Sequence, residues 1–226
     1  MKGSVFPLRQ KALVCIKALV CILQDKTGSA INIIVNRSLI HYGSDNAVAA
    51  AGIFTTYTSL LVMIVIGICQ GLQPIIGYNY GAGRTDRLRH AFWLAVGWSS
   101  AICTAGCAFG LACPQLIARA FTTDASLISQ TSRAFSFALL AFWAVGFQVV
   151  ATTFFQSLGN AAKSIFLSLI RQVIFLIPLL LVLPRYFGLD GVWYSFPVSD
   201  LLATIVTLFM IVWQLRKISR TSPACS

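Results

Sequence analysis

Three long stretches of this sequence contain no aspartate, glutamate, lysine or arginine: Ala47–Cys69, Ala91–Ala118 and Ala134–Ala162. Each is longer than the ~20 residues that an α-helix needs to cross the ~30 Å hydrocarbon core of a bilayer. A transmembrane β-barrel would instead show segments of about ten residues with alternating polarity. The sequence therefore predicts an all-α integral membrane protein.

The composition supports the same interpretation. Only 10% of the 226 residues are charged and 58% are hydrophobic, whereas an average soluble domain carries about 25% charged residues. The formal net charge of +11, from 17 lysines and arginines against 6 acidic residues, would indicate nucleic-acid binding in a soluble protein. In a membrane protein, basic residues between apolar segments indicate cytoplasmic loops instead. We therefore expect a lipid bilayer, and no nucleic acid, as a partner.

The sequence contains no pattern that indicates an enzyme or a resident cofactor. Its seven cysteines include no Cys-x-x-Cys pair, and most of them lie inside apolar stretches with no histidine partner nearby. Such cysteines usually behave as small apolar residues. We expect no metal site, no catalytic residue and no cofactor other than a coupling ion.

Six membrane segments can be drawn, joined by short connections that contain turn-forming residues. With the amino terminus placed inside, the outer side holds only Arg37, Arg119, Arg133 and Arg185, and most other basic residues lie on the inner side. Because basic residues accumulate in cytoplasmic loops, both termini are predicted to be cytoplasmic. The segments are residues 11–40, with an interruption at Asp25-Lys26, 46–80, 88–113, 127–158, 161–183 and 191–215.

Charged side chains within these segments are costly in hydrocarbon and normally face protein or a water-filled cavity. Arg171 lies about ten residues into the fifth segment, and Asp200 lies ~14 Å past Gly191 along the sixth. Their similar depth predicts an Arg171–Asp200 ion pair. The pair either holds two helices together or places a charge in a cavity that meets a substrate or a coupling ion. Asp25 lies halfway along the first segment.

Amide side chains also recur within the segments. Asn32, Asn36, Gln148, Gln156 and Gln172 all lie there. Each one alone is explained by packing, because amides form hydrogen bonds across membrane helices at ~1 kcal/mol. Together with the charged residues, they predict a hydrated interior surface.

The stretch QGLQPIIGYNYGAG, residues 70–83, is polar and glycine-rich for so apolar a chain. Gly67 and Gly71 lie four residues apart and share one helix face, and so do Gly77 and Gly81. Such pairs let neighbouring helices approach closely. The stretch therefore predicts a packing surface.

Pro74 lies between these glycine pairs and has no backbone N–H, so it leaves the carbonyl of Gln70 without its helical partner. A freed carbonyl in a membrane must find a partner or face water. Gln70, Gln73 and Asn79 can supply partners or direct their oxygens into a cavity. The stretch predicts a locally broken helix end, which favours a transporter or channel over an inert bundle.

The segment GICQGLQPIIGYNYGAGRTDRLRHAF resembles the most characteristic segment of the multidrug and toxic compound extrusion (MATE) transporters. YGSDNAVAAAGIFTTYTSLL is similar to the family's connection between helices seven and eight, and the stretch from FFQSLGNAAK to PVSDLLA is similar to helices ten to twelve. The resemblance implies a six-helix carboxy-terminal lobe, helices seven to twelve, of a parallel-repeat transporter. It divides the chain into a poorly matched start (1–26), a MATE-like lobe (27–215) and a cytoplasmic tail (216–226).

Two features depart from the family pattern. The start of the chain has the hydrophobicity but not the residue order of the family's seventh helix, which a truncated or wrongly started reading frame would explain. Some members carry acidic cation ligands on helices seven and ten. Asp25 falls near the first of these positions, but the fourth segment has no acid, which weakens the case for a sodium site of that kind.

The resemblance implies the carboxy-terminal half of a multidrug or cation antiporter of the bacterial cytoplasmic (inner) membrane. Such a protein exports cationic or aromatic compounds against inward Na⁺ or H⁺ flow by alternating access, with small organic cations as substrates. Two alternatives stay open: a non-transporting remnant, and a half-transporter in which a second copy replaces the missing amino-terminal lobe. Expected cavity-facing residues are Asn32, Asn36, Gln70, Gln73, Arg171, Gln172 and Asp200; Asp25 and Asp200 are candidate ion-coupling acids; Gly67, Gly71, Pro74, Gly77, Asn79 and Gly81 are assigned to helix break and packing.

Overall fold

The computed structural model describes residues 28–221, except 30, 42 and 44, and this part of the chain contains helices and no strand. The all-α fold expected from the sequence is confirmed. Asp25, the interruption at Asp25-Lys26 and the start of the first predicted segment lie outside the described residues. The helices are α1 (31–41), α2 (Asp45–Gly81), α3 (Thr85–Ala112), α4 (Pro114–Phe121), α5 (Ala125–Ala138), α6 (Trp143–Ser157), α7 (Ala161–Leu169), a π-helix (Ile170–Leu176) and α8 (Ile177–Thr221).

Three described helical stretches are long and apolar enough to cross a membrane: Asp45–Gly81, Thr85–Ala112 and Ala162–Ile218. The pair α5 and α6, bent by 60° at a short break, qualifies as a fourth span. These stretches correspond to the second to sixth predicted segments. The protein is therefore a multi-pass membrane protein, as the uncharged runs predicted.

The last of these stretches contains a sharp reversal. Its 57 residues would extend ~85 Å as one straight helix, far more than a bilayer is thick. Gly188 interrupts it in the left-handed region, with φ 59° and ψ −135°, a conformation open to glycine. A Cβ at Gly191 would lie 2.5 Å from the carbonyl oxygen of Leu183, so the chain folds back tightly. The stretch therefore supplies two antiparallel crossings.

The fourth predicted segment is bent rather than continuous. Between α5 and α6 the backbone makes bonds of the i→i−3 type, such as Phe142 N to Leu139 O at 2.9 Å, which tighten the turn. The Cys107 thiol also donates to Leu139 O at 3.0 Å. Before this bend lies α4, a short helix absent from the sequence prediction, which begins at Pro114 because proline suits the first helical turn.

The core is built from rings and small residues where helices cross. Phe92 and Phe154 are fully buried, with ring centroids 4.8 Å apart, and they join α3 to α6. A Cβ at Gly146 would lie 2.7 Å from Ser99 O, so these two helices approach closely there. The outer surface is apolar instead of charged: Met63 is 71% exposed and Phe209 is 75% exposed. Such a surface suits lipid contact.

The structure places the glycine-rich stretch differently from the sequence prediction. Helix α2 continues past Pro74 as far as Gly81, because a membrane helix tolerates the loss of one hydrogen bond where neighbouring groups compensate. The close approach expected at the glycine pairs is not made within the described lobe, since a Cβ at any of the four would meet no atom within 4 Å. The four positions are Gly67, Gly71, Gly77 and Gly81.

Candidate functional site

A cavity of about 330 Å³ lies among α2, α6, the end of α7, the π-helix and the second half of α8. We call it the amide cavity, because five glutamines contribute to its wall. Four of the residues expected to face a cavity line it: Gln70, Gln73, Arg171 and Gln172. The remaining lining residues are Val62, Ile66, Cys69, Gln148, Val149, Thr152, Thr153, Gln156, Leu167, Ser168 and Thr207.

The Arg171–Asp200 ion pair expected from the sequence is present beside this cavity. Arg171 Nε lies 2.7 Å from Asp200 Oδ1. The Asp200 side chain is only 7% exposed, whereas that of Arg171 is 33% exposed and lines the cavity. The guanidinium therefore stands between the carboxylate and the cavity. The Asp200 carboxylate lies behind Arg171 and partly neutralises the guanidinium charge. Asp200 is not itself a lining residue of the cavity.

The fold brings this pair together through two features. The reversal at Gly188 lays the second half of α8 antiparallel to the π-helix that carries Arg171. A π-helix has a wider turn than an α-helix, and such segments occur frequently at functional sites. The widened turn changes the angular position of the side chains after Leu169, so it contributes to the placement of Arg171.

Gln148 connects α6 to the same region of α8. Its Nε2 donates to the backbone oxygen of Asp200 at 2.8 Å and to Thr204 Oγ1 at 2.6 Å. The Thr204 hydroxyl in turn donates to Asp200 O at 2.6 Å. Gln148 is buried, so these bonds are shielded from water. The sequence showed the amide but not its partner, because the two residues are 52 positions apart.

Another amide has an unsatisfied atom. Gln172 Oε1 is buried and has no hydrogen-bond partner among the described residues. A buried acceptor left in this state costs about 1–3 kcal/mol. Gln172 also contributes to the wall of the amide cavity.

The sequence comparison identifies the family of this lobe. The MatE family model matches residues 21–182, which is more than half of the chain. The chain belongs to the MatE family. The multidrug export protein MepA of Staphylococcus aureus (strain NCTC 8325 / PS 47) is 26% identical over 200 residues, covering 88% of this chain and 42% of its own length.

Solved structures of MATE transporters share the fold. An outward-facing multidrug resistance MATE transporter of the MOP superfamily gives a TM-score of 0.87 at 22% identity, over 98% of this chain and 49% of that one. The MATE multidrug transporter DinF-BH gives 0.79 at 36% identity, over 96% and 48%. The chain thus spans about half the length of the relatives it matches. Over the described residues, its fold is that of one half of a MATE transporter.

Other predicted residues of this MatE lobe lie away from the amide cavity. Asn32 and Asn36 are exposed, because α1 turns Ile31, Val35 and Leu39 toward the core instead. Asp25, the candidate acid of the family's seventh helix, lies outside the described residues.

Asn79 has a different position in the lobe. It is 8% exposed, and its amide nitrogen donates to Ile75 O at 2.8 Å within α2. It lines a second cavity at the end of the helices.

The charge on the wall of the amide cavity is unusual for a site expected to attract cations. Among the described lining residues, Arg171 is the charged one, and no carboxylate reaches the wall. The other polar groups are amides and hydroxyls, which both donate and accept hydrogen bonds. The wall therefore offers many weak, unselective polar contacts with one partly neutralised positive charge.

Proposed function

We propose that this chain forms one wall of the substrate pathway of a multidrug antiporter. The observation that carries the proposal is the amide cavity, which places polar side chains from separate helical segments inside an otherwise apolar MATE-type lobe. Polar residues at such depth mark substrate or ion pathways by default. The cavity volume of about 330 Å³ falls within the range of small-molecule sites.

The proposed substrates are cationic or aromatic organic compounds. The relative MepA is a multidrug export protein, and DinF-BH is a MATE multidrug transporter. Amides and hydroxyls that donate and accept equally suit varied ligands, because no single geometry is demanded. The exposed edge of Arg171 selects against compounds with a positive charge close to this wall. We therefore assign attraction of the cation to the opposite wall of the pathway.

That opposite wall comes from a second six-helix lobe. The two lobes of a parallel-repeat transporter are related by an axis along the membrane normal, so both have the same orientation. Either an amino-terminal lobe or a second copy of this chain satisfies that geometry. Alternating access then consists of rocking one lobe against the other around the cavity.

Coupling to Na⁺ or H⁺ through this lobe would involve Asp200, the acid buried within the described spans. Coupling requires the Asp200 carboxylate to release the Arg171 guanidinium and to bind a cation or a proton in its place. The one-third exposure of the Arg171 side chain supports this, because the guanidinium already reaches the cavity.

The proposed location is the cytoplasmic (inner) membrane of a bacterium, with both termini in the cytoplasm. One end of the described lobe carries Arg84, Arg87, Arg89, Arg216 and Lys217. A surplus of basic residues is typical of the cytoplasmic side.

An efflux assay tests the proposal. The chain is expressed in an efflux-deficient bacterium, alone and together with the amino-terminal lobe of a MepA relative, and ethidium retention is followed with and without a protonophore. Gln70→Ala combined with Gln73→Ala should raise retention severalfold, whereas Gln115→Ala, on the exposed side of α4, should not.

The two expression arms separate the candidates. Energy-dependent efflux by the chain alone indicates a second copy as the other wall, and efflux only with the added lobe indicates a two-lobe transporter. Retention equal to that of the empty vector in both arms contradicts transport and leaves the non-transporting remnant.

A further inference from the structure

The guanidinium of Arg171 has two edges that can bind a planar acceptor, and its ion pair occupies one of them. The side edge begins at Nε, and the terminal edge is formed by Nη1 and Nη2. Asp200 Oδ1 accepts from Nε at 2.7 Å, and among the described residues Asp200 is the hydrogen-bond partner of Arg171. The terminal edge carries further N–H donors. The same guanidinium can therefore bind a second acceptor.

The position of Arg171 places this second acceptor in the amide cavity. Asp200 is buried, with a side chain only 7% exposed, whereas the Arg171 side chain is 33% exposed and lines the cavity. Asp200 and a molecule in the cavity therefore approach the guanidinium from different directions. The fork of a guanidinium matches the two oxygens of a carboxylate, which it binds by two parallel hydrogen bonds.

The rest of the wall suits an aromatic acid. Among the described lining residues there is no carboxylate, and the side-chain amides of Gln70 and Gln156 can donate to a bound oxygen. A negative charge in the apolar span needs a cation and hydrogen-bond donors, because hydrocarbon offers neither. Val62 and Ile66, also in the wall, offer apolar surface to a ring.

Asp200 limits how tightly such an acid would be held. Its carboxylate partly neutralises the guanidinium, and it repels a second carboxylate at the terminal edge. A transport site must release its ligand as well as bind it, so binding that is too strong would slow transport. A half-neutralised arginine suits that requirement better than an isolated one.

We propose that the terminal edge of Arg171 binds the carboxylate of the exported compound, and that the substrates include aromatic compounds which carry a carboxylate together with a positive charge. This inference rests on the proposed function and sharpens it. The opposite wall attracts the cationic group, and Arg171 binds the acidic one. An ester of the same compound keeps the rings and the cation but lacks the charge that the guanidinium recognises.

Binding of a matched pair of dyes to the purified full chain in neutral detergent tests the proposal. The probes are rhodamine 6G, a cationic ester, and its free acid, which presents a carboxylate on the same ring system. Fluorescence anisotropy measures binding, with protein-free micelles as the baseline. The chain should bind the acid about tenfold more tightly than the ester, because hydrogen bonds between charged groups are the stronger ones.

Two double variants locate the preference. Arg171→Gln combined with Asp200→Asn replaces the ion pair by two amides, leaves no charge of the pair unpaired, and should abolish the preference for the acid. Arg133→Gln combined with Asp190→Asn removes an ion pair whose arginine is 67% exposed, and should leave the preference unchanged. Arg171→Lys keeps the charge but loses the planar fork, so it should retain only part of the preference.

The elution profile in detergent checks folding, and Arg171→Lys decides the outcome if the first double variant aggregates: an undiminished preference would then contradict the proposal. Equal binding of acid and ester by the unmodified chain, or no binding of the acid, overturns it. An acid preference that survives in the Arg171 double variant, or falls equally in both, also overturns it. Selective acid binding without efflux contradicts the proposed transport instead, and efflux without acid preference contradicts only the carboxylate site.

Discussion

The positively charged side chains of the two cavities in this lobe have different kinds of partner. In the amide cavity, Arg171 is paired with Asp200 at 2.7 Å, and the partner carboxylate is buried behind it. In the second cavity, which lies at the end of the helices, Lys163 instead donates to the neutral oxygen of Gln214 and lies over the Trp213 ring. A charge within the apolar span must be neutralised by protein, because hydrocarbon supplies no counterion. At the end of the helices, water and headgroups can do so.

The sharpest way to break this comparison is Asp200→Asn. The variant leaves Arg171 without its partner in a low-dielectric region, and breaking a buried pair costs about 3–5 kcal/mol. We expect a large loss of monodisperse protein in detergent and a lower Tm. Asp190→Asn is the matched control, because its Arg133 partner is 67% exposed and exposed pairs contribute less than ~1 kcal/mol. Equal stability of both variants would contradict the contrast.

Gln148→Leu tests whether the amide network supports the buried pair. The variant removes two hydrogen bonds that Gln148 makes with α8. We expect a loss of about 2 kcal/mol in the free energy of unfolding, at ~1 kcal/mol for each bond. Gln115→Leu, on the exposed face of α4, should change it by less than ~0.5 kcal/mol. A Gln148→Leu variant as stable as this control would show that the Arg171–Asp200 pair does not depend on the hydrogen bonds from Gln148 of α6.

Gln172→Met separates stability from ligand binding within the amide cavity. The substitution removes a buried oxygen that has no hydrogen-bond partner among the described residues. We expect the free energy of unfolding without ligand to rise by about 1 kcal/mol, because the desolvation penalty disappears. Ethidium efflux should fall in the same variant. Thermal unfolding in detergent measures the first effect, and a stability loss as large as that of Gln148→Leu would mean that Gln172 is a structural residue.

Lys217→Gln gives the smallest expected effect and tests the second cavity, at the end of the helices. The Lys217 side chain is exposed, and the substitution removes the contact of its ammonium with the Trp213 ring at 5.6 Å. We expect the free energy of unfolding in neutral detergent to change by less than ~1 kcal/mol. A loss of stability as large as that of Asp200→Asn would show that this lysine belongs to a buried ion pair. The positive charges of both cavities would then be neutralised in the same way.

Part of the candidate site could be read from the sequence because depth along a helix is a local property. Counting residues from the segment starts placed Arg171 and Asp200 at similar depth, and the pair is present. Angular position around a helix axis is not available in the same way. Asn32 and Asn36 are exposed on α1 and lie outside the wall of the amide cavity, so their place in a cavity between two lobes stays a prediction.

Contacts between distant segments also could not be predicted from the sequence. The bend between α5 and α6 depends on short-range turn bonds and on the thiol of Cys107, which is 32 residues away from Leu139. The glycine pairs of α2 indicated packing, but their faces are open within the described lobe, and the close approaches occur at other glycines such as Gly146. A glycine pair permits an approach without choosing the neighbour.

By itself, the sequence determined that the chain folds in a lipid bilayer, that it is helical and to which family it belongs. A chain with 10% charged residues must bury its backbone hydrogen bonds inside helices in lipid. Only the tertiary structure decided which polar side chains share a cavity. The reversal at Gly188 and the turn of the π-helix set Arg171 in front of Asp200, and the ends of four helices form the second cavity. The reason is that hydrophobicity acts residue by residue, whereas a cavity requires the relative rotation of whole helices.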